Sequence, residues 1–144
     1  MFLNIRTTLA VALTFLSFSA HAQKAAFLEA GKYQLTSGEK ALCRSLSISE
    51  SDLQAKRLSI GGLYDFEVGN SNHNIESDID PDCEFREQNR VQNRSNDTLL
   101  VRINEEYCKG TLRSKTVSAA VITPNEIQIR HQVDGAEVNC VWQK

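Results

Sequence analysis

The amino-acid sequence predicts an all-β domain: a single antiparallel barrel of about eight short strands with two disulfides, or alternatively a two-sheet sandwich. Two observations predict the strands. Apolar residues alternate with polar ones at a period of two, and clusters of Gly, Pro, Asn and Asp punctuate the alternation at short intervals. A third observation is that the 144-residue chain contains four cysteines, an even number. In a small exported domain this indicates a disulfide framework.

The first 22 residues are expected to be a secretory signal peptide rather than part of the fold. "MFLNIR" carries the single charge Arg6, "TTLAVALTFLSF" is an apolar core, and Ala20 and Ala22 have the A-x-A spacing of a cleavage site. We expect cleavage after Ala22 and export to the bacterial periplasm or the medium, with a retained anchor as the alternative. Residues 23–144 are then one domain, without a further segment that could span a membrane.

The clearest strands lie in "EIQIRHQVDGAEVNCVW", where Asp134-Gly135 is the dipeptide of a two-residue type I′ turn. Directly opposed residues of a hairpin share a face, so one face is predicted to be buried. This face carries Ile127, Ile129, His131, Val133, Ala136, Val138, Cys140 and Trp142. The other strand candidates are 31–35, 41–48, 83–91, 98–107 and 112–122.

The segment "RLSIGGLYDFEV" allows two interpretations. Five of its apolar residues have even numbers, so a two-residue Gly-Gly turn would place them on opposite faces. They are Leu58, Ile60, Tyr64, Phe66 and Val68. One strand kinked at the glycines is preferred, and a three-residue loop at residues 61–63 is the alternative. Only "AAFLEA" before Gly31 and "SESDLQAK" before Arg57 are expected to form a helical turn or two.

The cysteines predict a nested pairing. Cys83 begins one predicted strand and Cys108 ends the next, so a hairpin of these strands brings the two together at its open end. In a closed barrel the last strand returns beside the first, which places Cys140 near Cys43. We therefore predict the disulfides Cys43–Cys140 and Cys83–Cys108. The absence of a C-x-x-C pair argues against zinc and against thioredoxin-like redox chemistry.

The stretch "FLEAGKY", with Gly31-Lys32-Tyr33 opening the first strand, resembles the G-x-W start of lipocalin-like barrels, with Tyr33 in place of tryptophan. The resemblance covers seven residues. It implies an eight-stranded barrel with an interior that can hold a small ligand.

The acidic segment "ESDIDPDCE", residues 76–84, places Asp78, Asp80 and Asp82 on alternate positions, like the first ligands of a twelve-residue calcium loop. The position that requires glycine is Cys83, and the position that requires glutamate is Asn89. We interpret the segment as a solvated turn between two strands, with weak cation binding as the alternative.

Residue types that carry catalysis are scarce. Beyond the predicted signal, His73 lies in a polar loop and His131 on an apolar face, where a histidine is usually a core residue. Arg44, between Leu42 and Leu46, is an odd charge that either meets a buried anion or marks a bulge or a frayed strand end. No nucleophile, zinc-protease or phosphate-loop motif occurs. We expect no catalytic residue, no metal ligand and no cofactor.

The charge balance argues against a nucleic-acid partner. Without Arg6, fifteen basic residues face eighteen acidic ones, and no basic face stands out. The preferred function is a periplasmic or secreted non-catalytic binding module that uses its loops to bind a protein, as small envelope-protein inhibitors of lytic enzymes do. The alternatives are a carrier of a small apolar ligand, a small hydrolase with a carboxylate site, and a structural envelope subunit.

Overall fold

The computed structural model describes residues 27–60 and 64–144, so the predicted signal peptide, residues 1–22, lies outside the described part. The described residues form one short helix and ten strands. These are β1 (Gly31–Ser37), β2 (Leu46–Ile48), α1 (Glu50–Ala55), β3 (Arg57–Ile60), β4 (Tyr64–Glu67), β5 (Ser71–Glu76), β6 (Cys83–Asn93), β7 (Thr98–Cys108), β8 (Thr111–Ile122), β9 (Glu126–Val133) and β10 (Ala136–Gln143). The predicted all-β fold with two disulfides is confirmed.

Eight strands form one antiparallel sheet in the order β2-β1-β10-β9-β8-β7-β6-β5. Within β1, the first half pairs with β2 and the second half, from Gln34 onwards, pairs with β10. The sheet is open, because β2 and β5 lie at its two edges, and the predicted barrel closure is therefore wrong. The physical reason lies in the edges: β2 has three residues, and β5 has Ile75 as its single apolar residue. Strand β5 therefore offers no apolar face that closure would bury, and β2, although Leu46 and Ile48 are buried, is too short for a long pairing.

Strands β3 and β4 form a separate antiparallel hairpin, in which Leu58 lies opposite Phe66 and Ile60 opposite Tyr64. The preferred single kinked strand is therefore wrong, since its two halves lie side by side. The connection, residues 61–63, lies outside the described residues. The even-numbered apolar residues do share one face, as the loop alternative requires.

The core lies between this hairpin and one end of the large sheet. Trp142, Ile127, Ile129 and Leu100 are fully buried in it. The register explains why the core is restricted to one end. Leu100 aligns with Val91 and Ala120, whereas the next inward position on β7 is Arg102, which aligns with Asn89 and Ser118. Beyond this row the inner face of the long strands is mostly polar.

The predicted final hairpin is confirmed, with Ile127 opposite Trp142 and both Asp134 and Gly135 at positive φ. Its apolar face is buried at the Trp142 end, but Val133 and Ala136 are exposed next to the turn, because this end of the hairpin extends past the core.

Three local predictions have different outcomes. The "SESDLQAK" turn is confirmed as α1, which Ser49 caps in a capping box with Asp52. The second strand is shorter than predicted, because the amides of Leu42 and Cys43 both donate to the carbonyl of Glu39 and form a turn there. No helix forms in residues 27–30, the described part of "AAFLEA". Among the described residues, no helix is long and apolar enough to cross a membrane.

Candidate functional site

Both predicted disulfides form, and each joins parts of the fold that the backbone already brings together. Cys83 lies directly opposite Cys108 in the register of β6 and β7, with a Cα–Cα distance of 4.1 Å. Cys43 and Cys140 are 5.7 Å apart at Cα and join the turn before β2 to the last strand. The Cys83–Cys108 disulfide therefore fixes the open end of the β6–β7 hairpin.

The acidic segment 76–84 is a surface turn between β5 and β6, as predicted. The amide of Ser77 donates to the carbonyl of Cys83 at 3.1 Å. The Ser77 hydroxyl accepts from the amides of Ile79 and Asp80, and the Asp80 carboxylate accepts from the amide of Asp82 at 3.0 Å. These side-chain bonds to local backbone hold the turn in one conformation.

Exposed large apolar side chains at this end of the molecule include Ile75, Ile79 and Phe85, and we call these three residues the apolar tip. Their exposed fractions are 55%, 96% and 43%. Ile75 and Phe85 lie directly opposite each other on β5 and β6, so they share a face. Ile79 lies in the turn, and together with Phe85 it lines a cleft of about 650 Å³ next to the Cys83–Cys108 disulfide.

Five acids lie in segment 76–84 next to the apolar tip, and we call them the acidic rim. They are Glu76, Asp78, Asp80, Asp82 and Glu84. Basic side chains offset part of this charge, and one of them, Arg113, lines the same cleft as Ile79. Lys109 Nζ lies 3.4 Å from Asp82 Oδ2, and Arg86 pairs with Glu84. The rim remains acidic overall.

The structure also locates His131 and Arg44, two other residues that the sequence analysis singled out. His131 lies on the inner face, with Nδ1 2.7 Å from Ser118 Oγ and its ring 4.9 Å from the ring of Tyr64. Burial lowers the pKa of His131, which fits a core histidine. Arg44 has an exposed side chain just before β2 begins at Leu46, so the frayed strand end is the correct interpretation.

Sequence reasoning missed a second group of polar side chains, the carboxylate–histidine cluster, which we define as Glu67, His73 and Glu87. These residues come from β4, β5 and β6. His73 aligns with Glu87 across the sheet, and its Nε2 lies 3.2 Å from Glu67 Oε2. Ser71 Oγ also donates to Glu67 Oε2, at 2.7 Å. No motif spacing links positions 67, 73 and 87. The prediction that His73 lies in a polar loop is wrong, because His73 lies in strand β5, whose pairing with β6 places it beside Glu87.

Both carboxylates of this cluster are held in the ionised form. Hydrogen bonds from Ser71 and then from His73 lower the pKa of Glu67. For Glu87, burial raises the pKa, but hydrogen bonds from Asn89 and Arg102 outweigh it, so the pKa of Glu87 is also lowered. Neither side chain is therefore suited to donate a proton near neutral pH.

The comparisons with known proteins assign no family. No protein-family model matches the chain, and neither a curated protein nor a solved structure shows significant similarity to it. The resemblance of Gly31-Lys32-Tyr33 to lipocalin-like barrels therefore stays a prediction, and the functional argument depends on the geometry of the tip and of the cluster.

Proposed function

We propose that this protein is a periplasmic or secreted, non-catalytic binding module that binds a basic surface of another protein through the apolar tip and the acidic rim. Two disulfides are typical of a protein in an oxidising compartment. The observation that supports the binding role best is Ile79. It is almost fully exposed on a turn that a neighbouring disulfide and local hydrogen bonds hold in place.

The composition of this end fits a protein interface. Such interfaces have an apolar centre that loses its water on binding and a polar rim. The tip supplies the apolar centre, and the acidic rim would attract a basic partner and accelerate its association. Because the turn is already ordered, binding would lose little conformational entropy.

The alternatives have less support. A carrier needs a barrel interior, but the sheet is open and the space between the hairpin and the sheet is filled by Trp142 and Phe66. A glycoside hydrolase needs one protonated and one ionised carboxyl group. Glu67 and Glu87 face each other, but hydrogen bonds favour the ionised form of both.

The proposal is tested by asking whether the capture of a partner protein depends on the apolar tip. The immobilised wild-type protein and two double variants are exposed to an extract of the cells that produce it. The tip variant is Ile79→Ser with Phe85→Ser, and the control is Leu42→Ser with Val133→Ser, two exposed apolar residues outside the tip. Any captured protein is then purified and titrated against all three by calorimetry.

We expect the wild type and the control to bind the same protein with equal affinity, and the tip variant to bind it more than about tenfold more weakly. Binding should also weaken when salt screens the acidic rim. The proposal would be contradicted if the tip variant captured the protein as well as the wild type does, or if no protein were captured in a tip-dependent way.

A further inference from the structure

A second region, on the inner face of the sheet near β5, carries a metal-binding geometry that the proposed binding role does not use. The cluster residues Glu67, His73 and Glu87 each direct one ligand atom to the same place, and these three atoms lie within 4.8 Å of one another. Clefts of about 450 and 510 Å³ border the cluster and share Glu87 and Arg57 in their walls, so the cluster is open to an ion from solvent.

Asn89 is the observation that points to a missing ligand. Its side chain is buried, with 1% exposed, and its amide projects into the cluster. Nδ2, which has two hydrogens, faces three acceptors: Glu87 Oε1 at 2.8 Å, Ser71 Oγ at 3.1 Å and Glu67 Oε2 at 3.5 Å. Among the described residues, Oδ1 has no hydrogen-bond partner. A buried amide oxygen without a partner is costly.

We propose that Glu67, His73, Glu87 and Asn89 form a binding site for a divalent transition-metal ion of the zinc class. In the metal-free form the Asn89 amide group separates the two carboxylates by donating to them. With an ion between the carboxylates, half a turn of this amide would bring Oδ1 to the ion as a fourth ligand. The same rotation would relieve the crowding of acceptors at Nδ2 and would give Oδ1 a partner, the ion.

The distances fit such an ion. Bonds of about 2.0–2.2 Å in a tetrahedral zinc site place neighbouring ligand atoms about 3.3–3.6 Å apart. Glu67 Oε2 lies 3.2 Å from His73 Nε2 and 3.5 Å from Asn89 Nδ2. Both distances are close to the separation expected between two ligand atoms of such a site. Among these three separations, the Asn89–Glu87 one, at 2.8 Å, must widen.

The donor types select the kind of ion. An imidazole nitrogen suits zinc and related ions, whereas calcium takes six to eight oxygen ligands. Arg102 donates to Glu87 Oε2 at 2.7 Å, which orients the carboxylate and leaves Oε1 towards Asn89. The ion would connect β4 of the small hairpin to the edge of the large sheet, and would therefore stabilise the folded chain.

Calorimetry of the untagged, chelator-treated protein tests the site, with zinc chloride and calcium chloride as the probes. We expect one zinc ion per chain and much weaker calcium binding. His73→Gln should weaken zinc binding by more than about tenfold, and this change should leave the fold intact because the His73 side chain is half exposed. Glu50→Gln, an exposed carboxylate on α1 outside both the cluster and the acidic rim, is the control and should bind zinc like the wild type.

Asn89→Asp separates a metal site from a purely structural polar cluster. It places a third carboxylate in the cluster, so the metal-free variant should melt at a lower temperature than the wild type, bind zinc more tightly and gain more thermal stability from zinc. Unchanged or weaker zinc affinity would overturn the assignment of Asn89 as a ligand. The whole site would be overturned by the absence of stoichiometric zinc binding, by wild-type binding in His73→Gln, or by calcium binding as tight as zinc binding.

Discussion

Trp142 connects the last strand to the chain just before β2. Its ring is fully buried opposite Ile127, and its Nε1 donates to the carbonyl of Arg44 at 2.7 Å. The ring fills the centre of the core, and the hydrogen bond satisfies a carbonyl that precedes the strand. Both the packing of the core and the hydrogen bonding of the Arg44 carbonyl therefore depend on Trp142.

We expect Trp142→Ala to lower the free energy of unfolding by about 3–5 kcal/mol, because a large buried ring leaves a cavity. Urea unfolding followed by circular dichroism measures this loss. Since Trp142 is the only tryptophan, native fluorescence reports on it alone and should be blue-shifted and protected from iodide. Ready quenching in the native state would contradict its burial.

His131 should make stability depend on pH. Burial lowers its pKa in the folded state, so below the ordinary histidine pKa of about 6.5 the unfolded chain binds the proton more readily. The contribution of His131 to stability is therefore fully present above that pH, and it is lost as the pH falls towards the lowered pKa of the folded state. Urea unfolding at a series of pH values should show a smaller acid loss in His131→Gln than in the wild type. An unchanged slope in His131→Gln would contradict the prediction.

Gly38 lies against the Cys43–Cys140 disulfide. Its φ is +118°, and a Cβ added to it would lie 2.5 Å from Cys43 Sγ and 2.8 Å from the carbonyl oxygen of Asn139. Neither atom can move freely, since one is in a disulfide and the other in the backbone. Gly38→Ala should therefore cost about 1–3 kcal/mol of stability in urea unfolding. Gly69→Ala, where a Cβ meets nothing within 4 Å, is the control and should cost less.

At the scale of elements, the two disulfides constrain chain segments of very different length. Cys83–Cys108 has a sequence separation of 25 and closes the hairpin of β6 and β7. Cys43–Cys140 has a separation of 97 and joins the first part of the sheet to the last strand. The second disulfide therefore restricts the unfolded chain more.

Replacing both cysteines of each pair by serine should separate their roles. In the chain-entropy model the loss is about 3.5 kcal/mol for Cys83–Cys108 and about 4.7 kcal/mol for Cys43–Cys140. We expect the first double variant to remain folded with a weakened apolar tip and the second to lose more stability, as measured by urea unfolding. A greater loss for the Cys83–Cys108 pair would contradict this order.

At the scale of the whole molecule, the open sheet predicts a gradient of backbone protection. Strands β8 and β9 lie in the middle of the order, whereas β2 and β5 each have one free edge. Native-state hydrogen exchange should therefore be slowest in β8 and β9 and fastest in β2 and β5. Uniform slow exchange that includes β5 would indicate a closed barrel instead.

Local chemistry explains why much of the fold could be predicted from the sequence. Asp134-Gly135 favours a type I′ turn, and the flanking alternation determines which residues of β9 and β10 face inwards. The spacing of Cys83 and Cys108 around a hairpin predicts their pairing. These features depend on neighbours in the chain or on one hairpin register.

Only the tertiary structure determined that the sheet stays open and which residues form the carboxylate–histidine cluster. Strand β5, with one apolar residue, has no periodicity that sequence analysis can detect, and it is ordered by pairing with β6. That pairing brings His73 to Glu87, and packing of the β3–β4 hairpin on the sheet adds Glu67. Contacts between residues so distant in sequence are set by the energy of the whole packed arrangement, and no local pattern encodes them.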